Sequence, residues 1–319
     1  MIVACSWQPG RTGRAARLCF PGDEAVTTPP DDRTSLLLQD RVRRVFGELP
    51  GAVAGQEEPV HQVRVAGRRL RVSLPLLARK GQRQRVRRAL AVLRQLTRTV
   101  GAGRDMDVIL GLFDDRLAAL KAPSAEQRAL LSRLRSARAR SRGQVAESVL
   151  DLDIDGLRRN LRRLVQGGAS DPATVLARAR AVREKEGAEL LRGFSQLGER
   201  YRPEALHALR RRARRLRYAA EVEDVVRGDE SRASVLWKRL QDGIGVIHDH
   251  DVLAAWLEEQ ARLAEARDNA LLALAAHRER RAFVSLGRLL HRALLEAKPA
   301  DLALRALQAM ARGRPITST

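Results

Sequence analysis

The sequence predicts an all-α chain, and three observations carry that prediction. From Asp31 onward apolar residues recur at three- and four-residue intervals in stretches rich in Leu, Ala, Arg and Glu, the period of a helix with one buried face. Strand-type alternation of Val, Ile, Thr and aromatics is missing, and aromatics make up only 3% of the residues. Gly and Pro fall mostly between the periodic stretches, where helices start and stop.

Taken in order, residues 1–30 read as a disordered tail, because Pro9, Gly10, Pro21, Gly22 and Thr27-Thr28-Pro29-Pro30 leave no period of either kind. Helices are expected over 33–48, 57–79, 82–100, 105–121, 124–150, 154–166, 172–199, 204–227, 230–245, 250–262, 263–297 and 300–312, followed by a C-terminal tail over 313–319. Their boundaries come from Gly101 and Gly103, Pro123, Gly167-Gly168, Pro172, Pro203, Gly228, Gly245 and Pro299. Pro75 lies inside the second stretch and should kink it or end it early, since its ring clashes with the preceding turn. Asp105 and Asp107, like Asp249 and Asp251, follow a Gly-containing turn. There a carboxylate would cap free N–H groups and suit the helix dipole.

At 319 residues the chain is long enough for one large or two ordinary domains. A hydrophobic content of 44% excludes disorder of the whole chain. Lysine and arginine number 60 against 38 acidic residues, for a net charge of +22. Only five of the 60 are lysine (80, 121, 185, 238 and 298). Such an excess repels itself in a compact state unless an anionic partner neutralises part of it. Cys5 and Cys19 have neither metal-type spacing nor a disulfide framework. No stretch approaches the 18 or so apolar residues of a membrane span, and the N-terminal residues lack the charge pattern of a secretory leader. A cytoplasmic location without membrane contact is expected.

An internal repeat organises the rest. His61-Gln-Val-Arg64-Val-Ala-Gly-Arg68-Arg69-Leu70-Arg71 recurs 146 residues later as His207-Ala-Leu-Arg210-Arg-Arg-Ala-Arg214-Arg215-Leu216-Arg217. Leu96…Gly101-Ala-Gly-Arg-Asp105-Met-Asp107-Val108 recurs 144 residues later as Leu240…Gly245-Val-Ile-His-Asp249-His-Asp251-Val252, with Arg94 falling on Lys238. Two matched pairs in the same order at nearly the same offset divide the chain into halves over 31–168 and 169–312. Each half is expected to be a bundle of four principal helices.

The basic residues are arranged in stripes. At 100° per residue, His61, Arg64, Arg68 and Arg71 fall within about 80° of one helix face, and His207, Arg210, Arg214 and Arg217 repeat the pattern. Arg83, Arg87, Arg94 and Arg98 share a face of the following helix within about 60°. From His61 to Arg104 there are 13 basic residues and no acidic one. A solvated helix normally interleaves signs to gain i,i+4 pairs, so a generic basic surface is the weaker reading and a binding surface the stronger. Arginine suits phosphate because its planar fork donates two parallel hydrogen bonds and stays charged. Base-edge reading of duplex DNA wants Asn or Gln beside Arg, and the only asparagines are Asn160 and Asn269. Single strands want aromatic platforms, which 61–104 and 207–217 lack. A polyanion with phosphates and no bases fits best, with nucleic acid as the runner-up.

Flanked by arginines, His61 and His207 should resist protonation. His248-Asp249-His250-Asp251 invites a metal-dependent phosphohydrolase reading, but the matching turn, Arg104-Asp105-Met106-Asp107, has no histidine. Capping is therefore preferred and no metal is assigned. His277 and His291 read as surface or packing residues. No Walker-type loop, nucleophile elbow, His-Glu-x-x-His or Cys cluster is found. No catalytic residue or cofactor is expected, and the chain reads as a binding protein.

At these residues the chain resembles the CHAD family, the conserved histidine α-helical domain. The resemblance rests on His61-x-x-Arg64-Val-x-x-Arg68-Arg69-Leu70-Arg71, on Leu206-His207-x-x-Arg210-x-x-x-Arg214-Arg215-Leu216-Arg217-Tyr218, on the motif at 96–108, and on Lys238-Arg239-Leu240-Gln241-Asp242 leading into Gly245. It implies two four-helix bundles related by a pseudo-two-fold axis, with basic residues lining a central groove or pore that binds inorganic polyphosphate. It also implies an association with polyphosphate granules. His61, Arg64, Arg68, Arg71, His207, Arg210, Arg214 and Arg217 carry over as ligand-binding positions, with Arg94 and Lys238 from the neighbouring helices. Arg83, Arg87 and Arg98 join them on the helical-face argument alone. Triphosphate tunnel domains, to which family members are fused, carry an alternating Glu-x-Glu-x-Lys pattern. That pattern is missing here, so the enzymatic domain is not expected on this chain.

Overall fold

Eleven α-helices form among the described residues, which in this computed structural model are 32–229 and 231–312. The tails expected over 1–30 and 313–319 lie outside them. In chain order the helices are α1 (Arg33–Gly47), α2 (Leu49–Val53), α3 (Glu57–Leu77), α4 (Arg83–Ala118), α5 (Ala125–Leu150), α6 (Ile154–Gln166), α7 (Pro172–Ser195), α8 (Pro203–Arg227), α9 (Ala233–Glu265), α10 (Ala270–Glu296) and α11 (Pro299–Ala311). A 3-10 turn at Lys80–Gln82 joins α3 to α4. No strand is present among these residues, only an isolated bridge between Ala78 and Ala169.

Most boundaries have local causes. Ser124 and Gln127 form a capping box at the start of α5, and Asp153, Asp171 and Asn269 accept backbone N–H groups at the starts of α6, α7 and α10. Pro172, Pro203 and Pro299 occupy first turns, where a missing N–H costs nothing. Gly228 ends α8 at φ 69°, a left-handed position that disfavours a Cβ. Pro75 is retained inside α3, which ends two residues later at Leu77.

Two expected breaks do not occur. The helices predicted over 82–100 and 105–121 are one helix of 36 residues, α4, and those predicted over 230–245 and 250–262 are one of 33 residues, α9. Gly101, Gly103 and Gly245 are buried in helix interiors. They give up about 1 kcal/mol of propensity each and in return let other side chains lie against the helix backbone. It follows that Asp105, Asp107, Asp249 and Asp251 lie in mid-helix and cap nothing, so the capping reading is corrected.

The length of these helices matches the core. One hydrophobic cluster gathers Leu70, Leu74, Leu93, Leu96, Leu190, Leu216 and Trp237. A second gathers Ile109, Phe113, Leu130, Leu134, Leu253, Leu257 and Phe283. At 1.5 Å per residue α4 and α9 run for about 50 Å, which lets each serve both clusters. α3 packs on α4 and α4 on α5, while α8 packs on α9 and α9 on α10. Contacts between α3 and α8, α4 and α9, and α5 and α10 join the two series. Neither cluster divides at residue 168, and the described residues from Arg33 to Arg312 form one compact unit.

Candidate phosphate-binding cavity

Because α3 packs against α8, the two arginine stripes face each other. Between them lies a cavity of about 130 Å³ lined by Arg64, Arg68, His207, Arg210, Arg211, Arg214, Asp105 and His248. Leu70, Leu74, Leu209 and Leu216, on the opposite faces of the same helices, are buried. Amphipathicity therefore turns the arginines away from the core, and the packing of α3 against α8 brings the two stripes together.

The long helices supply the floor. The side chain of Arg64 lies across Gly101 of α4, where a Cβ would stand 3.5 Å from its Nε, and Arg210 lies across Gly245 of α9, where a Cβ would stand 3.3 Å from its Nη2. One turn beyond Gly101, Asp105 Oδ1 accepts a hydrogen bond from Arg64 Nη2 at 2.7 Å. Asp249 occupies the equivalent place after Gly245. Its carboxyl is pushed up by burial, opposed by the charge of Arg210 and reinforced by that of Asp105.

Charge in the cavity is poorly compensated. Burial, followed by the neighbouring charges of Arg64, Arg214 and Arg210, pulls Arg68 down to about 9. Arg214 is lowered to about 10 by burial first and then by Arg210, Arg64 and Arg71. Arg210 is lowered by burial, against the pull of Asp249. The Nε groups of Arg64 and Arg210 are buried without a hydrogen-bond partner. A partly desolvated cation among like charges gains from a bound anion.

The histidines take neutral roles. His207 Nδ1 lies 3.3 Å from His248 Nδ1, a contact that requires one ring to donate and the other to accept. Burial and then Arg210 hold His248 down to about 4, while burial and then Arg211 lower His207. His61 is lowered by burial and then by Arg104, the residue that aligns with His248 in the repeat.

Other expected site residues sit beyond this cavity. Arg71 donates to Thr97 Oγ1 at 2.9 Å and feels the charges of Arg94, Arg215 and Arg98, so the stripe continues past the cavity. Arg217 turns to Glu221 at 3.4 Å, where Arg41 and Arg69 also converge. Lys238 is exposed and pairs with Asp242 at 2.6 Å. Arg83 and Arg87 are exposed in the first two turns of α4. Sequence reasoning missed Arg211 and gave Asp105 and His248 other roles. The repeated Gly…Asp spacing was the signal for Asp105, once both residues belong to a single helix.

His248 through Asp251 do not form a ligand set. Successive residues on a helix diverge by 100°. Accordingly His248 faces the cavity, His250 Nδ1 lies 2.8 Å from the Val246 carbonyl with its ring near Phe283, and Asp251 accepts from the Tyr201 hydroxyl. Among the described residues no group of three or more His, Cys, Asp or Glu is arranged to hold a metal. No helix among them is long and apolar enough to cross a membrane.

Known proteins resemble this chain in sequence or in fold. The chain is 29% identical over 202 residues to uncharacterized proteins of two Mycobacterium tuberculosis strains, CDC 1551 and H37Rv, covering 60% of this chain and 39% of each relative. It thus spans about two fifths of the length of those relatives. The crystal structure of the CHAD domain from the plant Ricinus communis superposes with a TM-score of 0.60 at 20% identity, over 88% of this chain and 91% of that one. Such a likeness speaks for a common fold. The family model of the CHAD domain matches residues 36–258, a span that takes in both arginine stripes and nearly all of the two long helices beneath them, and the chain therefore belongs to the CHAD family.

Proposed function

We propose that this protein binds inorganic polyphosphate in the cavity between α3 and α8, without catalysing a reaction on it. The observation that carries the reading is the convergence of Arg64, Arg68, Arg210 and Arg214 from two helices on one cavity. Two of these guanidinium groups are held down to about 9 and 10 by burial and mutual repulsion. Side-chain forks repeated at helical spacing can grip a linear polymer of phosphates at several points and need no bases to stack on or read. No Phe, Tyr or Trp lines the cavity, and its two imidazoles, His207 and His248, are in edge-to-face contact with each other, which favours polyphosphate over single-stranded nucleic acid. Recruitment to polyphosphate granules would follow from such binding.

The test is competition at physiological salt among long-chain polyphosphate, duplex DNA and single-stranded RNA at equal phosphate concentration. Polyphosphate should win, and replacing Arg64, Arg68, Arg210 and Arg214 together with alanine should lower its affinity at least a hundredfold with helicity retained. Preference for either nucleic acid overturns the reading in favour of nucleic-acid binding. Retained affinity in the quadruple variant places the ligand elsewhere.

A further inference from the structure

A second concentration of unpaired arginine lies where α6 packs on α4. A groove of about 240 Å³ there is lined by Arg88 and Val92 from α4, by Arg159, Asn160 and Arg163 from α6, and by Asp153 just before α6. Asp153 is the single carboxylate in that lining, and its Oδ1 is engaged by the Gly156 N–H at 2.8 Å as the cap of α6. Within the described residues Arg88, Arg159 and Arg163 make no ion pair or side-chain hydrogen bond, and all three are exposed.

Many other arginines of this protein are matched to carboxylates. Arg138 and Arg142 share Asp107, and Arg212 and Arg215 share Glu186. At the groove the opposite holds. Arg159 and Arg163 stand four residues apart on one helix, a spacing at which like charges repel, and Arg88 adds a third cation from the facing helix. Three forks from two elements around a cleft, against the single carboxylate of Asp153, leave a net positive receptor for an anion with several oxygens.

We infer that the α4–α6 groove is a second phosphate site, which takes another segment of the same polymer that occupies the central cavity. This rests on the polyphosphate reading above. Arg88 lies 13 residues before Gly101, the floor of the central cavity, so the two sites are offset by about 20 Å along α4 and by about 140° around it, and a polymer that fills both must pass around the helix. A polymer long enough to reach both is held at two points, and its apparent affinity exceeds that of either site alone. A short oligomer fills the sites independently. The protein is then selective for chain length without a specific contact to a chain end.

Titration calorimetry with tripolyphosphate on the full chain tests this, alongside an Arg88→Ala/Arg159→Ala/Arg163→Ala variant and an Arg68→Ala/Arg214→Ala variant. The groove arginines are exposed, so the triple variant should fold, which circular dichroism checks. The parent chain should bind two tripolyphosphates and each variant one, and long-chain polyphosphate should bind the triple variant at least tenfold more weakly. One binding event in both the parent and the triple variant, with unchanged long-chain affinity, overturns the second site and leaves the central one standing. Binding abolished by the triple variant and untouched by Arg68→Ala/Arg214→Ala does the reverse. Failure of tripolyphosphate to bind the parent chain overturns both.

Discussion

Asp105 holds Arg64 at 2.7 Å while 40% of its own side chain remains exposed, so under the proposed function the pair stands where an incoming anion would also seek the guanidinium. A partly exposed pair of this kind contributes about 0.2–1 kcal/mol, and its carboxylate also repels phosphate. Asp105→Asn removes the repulsion and keeps a hydrogen-bond acceptor of the same shape. We expect it to tighten polyphosphate binding about two- to fivefold at low salt, measured by fluorescence anisotropy. A loss of affinity comparable with that of an arginine deletion would mean that Asp105 holds Arg64 in place and does not compete with the ligand. The neighbouring Asp249, whose carboxyl is raised by burial, should behave in the same direction when replaced by Asn.

At the scale of the helix, Arg64 crosses α4 at Gly101 and Arg210 crosses α9 at Gly245, and the second crossing is the closer. A Cβ on Gly101 would meet Arg64 at 3.5 Å, an ordinary contact. Gly101→Ala should therefore stabilise the fold by about 0.5–1 kcal/mol through helix propensity and leave affinity unchanged. Gly245→Val adds bulk where a Cβ is already 3.3 Å from Arg210. It should displace that guanidinium and weaken polyphosphate severalfold with helicity intact. Gly67 differs, because a Cβ there would sit 2.6 Å from Thr97 Cγ2 at the α3–α4 contact. Denaturant unfolding of Gly67→Ala should show a loss of about 1–3 kcal/mol. These glycines also mark the limit of what the sequence discloses. A glycine at a turn and a glycine under a crossing side chain look alike along the chain, so the stretch from Gly101 to Asp105 reads as a break with a cap. Only packing distinguishes them, since the side chain that crosses Gly101 belongs to Arg64, 37 residues away. The helices themselves were legible because their apolar period and their caps are local. The α3 and α8 stripes were legible for the same reason. Arg217 shares the angle of its stripe, yet its long side chain turns to Glu221, a preference that no helical wheel contains.

For the whole molecule, the question is how a chain of net charge +22 stays compact. Much of its arginine is neutralised at shared carboxylates such as Glu221, Glu186, Asp107 and Glu223. The central cavity is where burial and like charge coincide instead, and it weakens the unliganded fold accordingly. Arg68 and Arg214 are half-buried, and replacing desolvated charged groups by apolar side chains of similar volume is often stabilising. Arg68→Met/Arg214→Met should therefore raise the melting temperature of the free protein by a few degrees, about 1–2 kcal/mol. The parent chain should recover more than this when polyphosphate is present, because a ligand at a hundred times its Kd adds about 2.7 kcal/mol. The variant should gain little from the ligand. Salt separates the two effects: it screens repulsion and stabilises the free parent chain, but it opposes counterion release and shrinks the increment due to polyphosphate. Thermal unfolding across a salt series, with and without polyphosphate, should give curves that converge as salt rises for the parent chain and that nearly coincide throughout for the variant. Parallel curves for the parent chain would mean that the charge stored between α3 and α8 is not what the polymer neutralises.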